Sequence, residues 1–98
     1  MADIHLTRTH DLGLDGARRA ADAVAERLRQ EYGVTTAWEG DSIRLAGRAV
    51  RGRLEARPAS VTVTASLGLA ARPFRRALRR EIERELDAFA PSAPPSSP

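Results

Sequence analysis

The sequence contains no cysteine and no lysine, and it has only two histidines in 98 residues. The absence of cysteine excludes disulfide bridges, thiolate metal sites and cysteine nucleophiles. No apolar run approaches the roughly 18 to 20 residues that cross a bilayer. The first residues also lack the basic stretch and apolar core of a signal peptide. We therefore expect a soluble, cytoplasmic protein.

Motifs for catalysis and metal binding are equally scarce. His5 and His10 are separated by an odd spacing, which places strand side chains on opposite faces, so they are poorly arranged to share a metal ion. No serine lies in a G-x-S-x-G elbow, and no glycine run has the spacing of a phosphate loop. Glu39 and Asp41 belong to an acidic hairpin turn, where carboxylates are normally solvated. We predict a protein that is not an enzyme and uses no metal or cofactor.

Length and composition fit a single small domain. A chain of 98 residues with 42% hydrophobic residues supports one modest core. Residues 91–98 hold four prolines and no large apolar side chain, so they cannot bury enough surface to offset the entropy of ordering. We predict one domain over residues 1–90 and a flexible Pro/Ser-rich tail over residues 91–98.

Hydrophobic periodicity divides the domain into strands and helices. Period-two alternation predicts one strand near the N-terminus and four more in the middle of the chain. Apolar spacings of three and four predict two helices. The predicted strands occupy 3–9 and, between turns, 34–69, and the predicted helices span 14–32 and 73–90. The resulting order, β-α-β-β-β-β-α, is typical of an α+β two-layer sandwich whose antiparallel sheet carries both helices on one face.

The same patterns predict which side chains are buried. Gly33 is placed to end the first helix in a left-handed conformation. Thr62 and Thr64 fall on the outward phase of the last strand, opposite the core. Phe74 begins the apolar stripe of the second helix, which continues through Leu78, Ile82, Leu86 and Phe89. The predicted core includes Val24, Leu28, Trp38, Leu54, Val63, Leu78 and Ile82.

Arginine supplies all sixteen basic residues, and five arginines cluster at the start of the second helix. We call this group the arginine face; it comprises Arg72, Arg75, Arg76, Arg79 and Arg80. The later turns carry acids instead, which is the reverse of the order that the helix dipole favours. A solvated helix surface with spaced pairs such as Arg79 and Glu83 is one interpretation. A face that binds an anion or a partner is the other.

A second basic strip follows the outward phase of the middle strands, and it comprises Arg44, Arg51, Arg53 and Arg57. Such a strip could contact phosphates, carboxylates or a second subunit, or it could protect the sheet from aggregation. It lacks the exposed aromatic side chains that stack on bases, so we do not expect specific nucleic-acid recognition. An open sheet face and open edges also predict a homodimer.

Short motifs follow one another in a characteristic order along the folded part of the chain: Met1 to His5, His10 to Leu14, Tyr32-Gly33, Trp38 to Asp41, the strand with Gly52, Leu67-Gly68, Pro73 and Glu81 to Leu86. In order and spacing they resemble the polyhydroxyalkanoic acid system family, also called the polyhydroxyalkanoate granule region proteins. The Pro/Ser-rich tail and the exclusive use of arginine depart from the family pattern.

The resemblance implies a bacterial cytoplasmic protein linked to storage-polyester metabolism, with no catalytic residues to carry over. A polyester inclusion has an apolar core and a partly anionic surface. We therefore expect a non-enzymatic accessory protein that associates with the granule surface or with granule proteins. Two alternatives stay open: an anion- or nucleic-acid-binding regulatory module that uses the arginine face, and a helix-grip-like binder of a small ligand with Trp38 lining its pocket.

Overall fold

The computed structural model describes residues 2–89, and it confirms the predicted fold class and element order. The five strands and two helices are β1 (Ile4–Thr9), α1 (Gly13–Tyr32), β2 (Thr35–Glu39), β3 (Ser42–Ala46), β4 (Val50–Arg57), β5 (Ser60–Leu67) and α2 (Arg75–Phe89). A 3₁₀ segment, Leu69–Phe74, precedes α2. The predicted tail over 91–98 lies outside the described residues.

The five strands form one antiparallel sheet in the order β1-β5-β4-β3-β2. β2 to β5 are joined as consecutive hairpins, whereas β1 pairs with β5 and forms the opposite edge of the sheet. Leu6 lies opposite Val63, which in turn lies opposite Leu54. Paired residues in neighbouring strands project to the same face, so this register places the alternating apolar residues together on one face.

The helices cover that apolar face, and the buried side chains form one hydrophobic cluster. α1 packs over β4 and its neighbours, while α2 lies beside α1 and contacts β1. The alanines of α1 allow a close approach to the sheet. Among the predicted core residues, burial is confirmed for Val24, Leu28, Leu54, Val63, Leu78 and Ile82.

The first helix follows its predicted pattern. Its buried positions run from Ala17 to Leu28 at spacings of three and four. Gly33 ends the helix with φ at 67°, a left-handed conformation that glycine adopts without steric cost, and its N–H donates to the Arg29 carbonyl. Among residues 2–89, neither this helix nor α2 is long and apolar enough to cross a membrane.

Close backbone packing explains one glycine inside the sheet. Gly52 in β4 lies opposite Ala65 of β5. A Cβ atom at this position would stand 2.0 Å from the Thr64 carbonyl oxygen and 2.8 Å from the Ala65 Cα. A side chain would therefore force the two central strands apart.

Trp38 corrects the predicted core. It lies opposite Ile43, so it projects to the helix side of the sheet as its phase predicted, yet 39% of its surface is exposed. β2 is the edge strand, and α1 lies mainly over the more central strands. The Arg18 guanidinium of α1 lies over the ring, with its carbon 4.2 Å from the ring centroid.

The start of α2 requires a second correction. The prediction placed the helix start at Pro73, but 69–74 forms the 3₁₀ segment and α2 begins at Arg75. Phe74 therefore precedes the α-helical stripe and is 59% exposed. The stripe itself is confirmed at the three next positions, since Leu78, Ile82 and Leu86 are buried.

Candidate docking surface

The arginine face is exposed along its full length. Arg72 lies in the 3₁₀ segment, and the other four arginines lie in the first six residues of α2. All five arginines are exposed. The sequence contains no acidic residue from Ala56 to Arg80, so no acid along this stretch offsets their charge.

Most of these arginines have no ion-pair partner in the described part of the chain. Arg79 pairs with Glu83 one helical turn later, at 3.7 Å. Arg75, Arg76 and Arg79 line a shallow groove of about 350 Å³ together with Asp3. The Asp3 carboxylate already accepts a hydrogen bond from the Leu67 N–H at 2.7 Å. Three guanidinium groups against one carboxylate give the groove a net positive charge, which suits an anion.

The acids in the second half of α2 are engaged with the rest of the fold. Arg8 of β1 donates to Glu83 at 3.2 Å and to Asp87 at 3.3 Å. Arg27 of α1 lies 3.6 Å from Glu81 and 4.0 Å from Glu85. These contacts explain the acidic later turns of α2, because the acids join the helix to β1 and α1.

A small acidic cluster lies where α1 meets α2. Burial raises the pKa of the Glu81 carboxyl, and the neighbouring Glu31, which shares a hydrogen bond with it, raises that pKa further. Arg27, which pairs with Glu31 at 2.9 Å, partly opposes this shift. Burial and the same two carboxylates also raise the pKa of Tyr32. The junction therefore favours a proton on Glu81 more than an exposed glutamate would.

The second basic strip lies on the open sheet face, and three of its four arginines lie near a carboxylate. Arg44 and Arg53 lie directly opposite each other, and each is 3.6 Å from the same Glu39 carboxylate. Arg57 lies 3.8 Å from Glu55. The remaining member, Arg51, is exposed near the start of β4. The strip is thus a weaker anion site than the arginine face.

An exposed apolar patch, which the sequence patterns did not predict, adjoins the arginine face. Leu69 is 81% exposed and Phe74 is 59% exposed, at the two ends of the 3₁₀ segment. Phe74 lines an open apolar hollow with Tyr32, Ala49, Ala70 and Ala71. The sequence feature that could have predicted the patch is Leu69, because it follows Gly68 and belongs to neither the strand nor the helix pattern.

The residues considered for metal or acid–base chemistry have structural partners, although His10 Nε2 is buried without a hydrogen-bond partner among the described residues. His10 Nδ1 accepts a hydrogen bond from the Leu12 N–H at 3.0 Å, and His5 Nδ1 lies 3.3 Å from the Thr64 hydroxyl. Asp41 pairs with Arg18 at 2.7 Å at the hairpin turn. Within residues 2–89, no three His, Asp or Glu side chains are grouped to hold a metal ion.

Comparison with known proteins gives one result. The sequence model of a family described as polyhydroxyalkanoic acid system protein matches residues 4–89. No curated protein and no solved structure matches the chain significantly.

Proposed function

The chain belongs to the polyhydroxyalkanoic acid system family, and on this basis we propose that it is a non-enzymatic accessory protein that associates with storage-polyester granules through its arginine face. The observation that carries the proposal is the unbalanced charge of that face. Arg75, Arg76 and Arg80 are exposed without an ion pair in the described structure, whereas the acids that follow them are held by Arg8 and Arg27.

Exposed positive charge of this kind favours contact with an extended anionic surface. Each arginine near such a surface contributes about 1 kcal/mol at low ionic strength. The arginines line an open, solvent-exposed groove, which offers little desolvation of a substrate, and this supports a binding role over catalysis. We propose that this contact takes place in the bacterial cytoplasm, where storage polyesters accumulate.

Cosedimentation of the full chain with isolated polyhydroxyalkanoate granules tests the proposal. We expect binding at about 0.05 M salt and release at about 0.5 M salt, because the screening length falls well below 10 Å at the higher salt. The quadruple variant R75Q/R76Q/R79Q/R80Q should bind at least about tenfold more weakly.

The second basic strip supplies a matched control. The variant R44Q/R51Q/R53Q/R57Q loses the same four charges from the open sheet face, and it should bind granules like the wild type. If both quadruple variants bind granules like the wild type, the arginine face has no part in the association. If both weaken equally, net charge rather than a defined surface drives it.

The two alternative functions give different results in companion assays. A regulatory module that binds nucleic acid would bind duplex or single-stranded DNA more tightly than granules, again through the arginine face. A helix-grip-like ligand binder would bind a small apolar ligand beside Trp38 and change its fluorescence. The guanidinium of Arg18 over the Trp38 ring makes this second alternative less favourable, because it covers one face of the ring.

A homodimer remains a prediction. The outer edge of β2 lies at the end of the sheet, and all five of its residues are exposed. Pairing of two β2 edges about a twofold axis would extend the sheet. Analytical ultracentrifugation at high micromolar concentration should then show a species of twice 10.6 kDa, and a monomer there would contradict the prediction.

A further inference from the structure

The apolar patch and the arginine face are interleaved within one short segment. Leu69 and Phe74 begin and end the 3₁₀ segment, and Arg72 lies between them. In a 3₁₀ helix, residues three apart lie in line on one side, so Leu69 and Arg72 project in similar directions. Arg75 and Arg76 follow directly in α2.

Exposure of this kind is unusual for a small domain. Single exposed apolar residues are common, but Leu69 and Phe74 belong to one six-residue segment, and Phe74 borders the open apolar hollow. Together they expose apolar surface that contact with a partner would cover. Ala49 brings the turn before β4 to the same hollow, and the exposed Arg48 precedes it. Arg72, Arg75 and Arg76 are thus close to the patch in sequence, and Arg48 adjoins it through Ala49. None of these four arginines has an ion pair among the described residues.

We propose that this end of the molecule inserts into an anionic phospholipid surface, with Leu69 and Phe74 entering the acyl region and the arginines binding the phosphate groups. Charge complementarity selects this occupant. An apolar partner protein would not need four uncompensated arginines, and a free anion would not need the two apolar side chains. Arginine stems can also lie along apolar surface while their guanidinium groups reach the phosphates. The inference rests on the proposed granule association and names the chemistry of the surface that is bound.

Binding to lipid vesicles provides the first test. The full chain should cosediment with vesicles of equal parts phosphatidylglycerol and phosphatidylcholine, and it should not cosediment with pure phosphatidylcholine. The variant L69S/F74S should bind the anionic vesicles at least about tenfold more weakly, since two apolar side chains no longer leave water. Both residues are largely exposed, so the variant should keep the wild-type circular dichroism spectrum and a cooperative unfolding transition.

Two matched controls isolate the patch. Leu12 is another exposed apolar residue, 44% exposed and outside the patch, and Leu12→Ser should bind vesicles like the wild type. The sheet-face variant R44Q/R51Q/R53Q/R57Q should also bind like the wild type. If L69S/F74S binds as tightly as the wild type, electrostatic attraction alone explains the binding and the insertion is wrong.

A fluorescent reporter tests insertion without removing the apolar side chains. Phe74→Trp in a Trp38→Phe background leaves one tryptophan, placed in the patch. Its emission should shift to the blue on anionic vesicles and be quenched by lipids brominated on their acyl chains. Binding without a shift would overturn the insertion.

The vesicle and granule assays separate the two proposals. If the wild-type chain sediments with granules but not with anionic vesicles, the lipid inference fails and the granule proposal stands. If it sediments with the vesicles but not with granules, the lipid inference stands and the granule proposal fails.

Discussion

The two halves of α2, residues 75–80 and 81–89, use charged residues for different purposes. In the second half, the acids from Glu81 to Asp87 form ion pairs with Arg8 of β1 and Arg27 of α1. In the first half, the arginines project to solvent, and within residues 2–89 only Arg79 has an ion-pair partner. The second half joins the helix to the fold, and the first half is left for contact with something outside it.

This difference explains the acidic half of the reversed charge order of the helix. Acids near a helix C-terminus and arginines near its N-terminus are each mildly unfavourable to the helix dipole. The acids are compensated by arginines of neighbouring elements. Of the arginines in the first half, only Arg79 is paired among the described residues, so the structure offers no internal reason for the position of the others.

The largest expected contrast concerns apolar truncation. Leu86 is fully buried in the second half of α2, so Leu86→Ala should lower the free energy of unfolding by about 2–5 kcal/mol. Phe74, just before the first half, is 59% exposed, and Phe74→Ala should cost less than about 1 kcal/mol. Urea denaturation measures both changes, and equal losses would show that the segment before α2 is as firmly packed as its end.

Removal of the paired acids should give a smaller effect. The variant E83Q/D87Q removes both partners of the half-buried Arg8, and it should destabilise the protein by about 1 kcal/mol. Part of that loss should disappear at high salt, because the pairs are partly exposed. R75Q/R76Q is the control with two charges removed from the first half. A loss in the control as large as in E83Q/D87Q would mean that the first half is also held by charge.

Titration of Glu81 should sharpen the contrast further. Its pKa is raised in the folded protein, so it contributes stability that is full below its unfolded pKa and is lost as pH rises through the folded pKa. Glu81→Gln cannot titrate, so its stability relative to the wild type should improve as pH rises through the interval between those two pKa values. Thermal unfolding of both proteins from about pH 4 to pH 7 measures the difference. A constant difference across that range would contradict the shift.

The smallest expected effect is a gain in stability. R75Q/R76Q removes two positive charges from the unfavourable end of the helix dipole, and stability should rise by a few tenths of a kcal/mol, about 0.3 for each charge. The gain should be seen as a slightly higher Tm at low salt and should vanish at high salt. A fall in Tm at low salt would indicate an internal partner for these arginines.

The sequence predicts to which face of the sheet each strand residue projects, but it does not show how far the helices cover that face. Trp38 projects to the predicted face, yet it lies on the edge strand, away from the strands that α1 mainly covers, and it stays 39% exposed. Phe74 continues the helical spacing, but the 3₁₀ segment ends at it and takes its side chain out of register. Periodicity determines the direction of a side chain, whereas burial depends on what lies above it.

The candidate site was predictable in its composition and not in its charge balance. The five arginines were identified by position, and the pair of Arg79 with Glu83 follows from helical spacing. The pair of Arg8 with Glu83 joins residues 75 positions apart, so it requires the topology that places α2 over β1. Without knowledge of that contact, the sequence does not distinguish the unpaired arginines in the first half of α2 from the paired acids in its second half.

The position of β1 in the sheet has a consequence for how the chain folds. β2 to β5 are joined by short hairpins, so they can associate with little loss of chain entropy. β1 must instead find β5 across α1 and three strands, with Ile4 opposite Ala65. We therefore expect the meander to form early and β1 to dock late, with Arg8 fixing the end of α2 in the same step. Substitutions in β1 should then accelerate unfolding and leave the folding rate nearly unchanged.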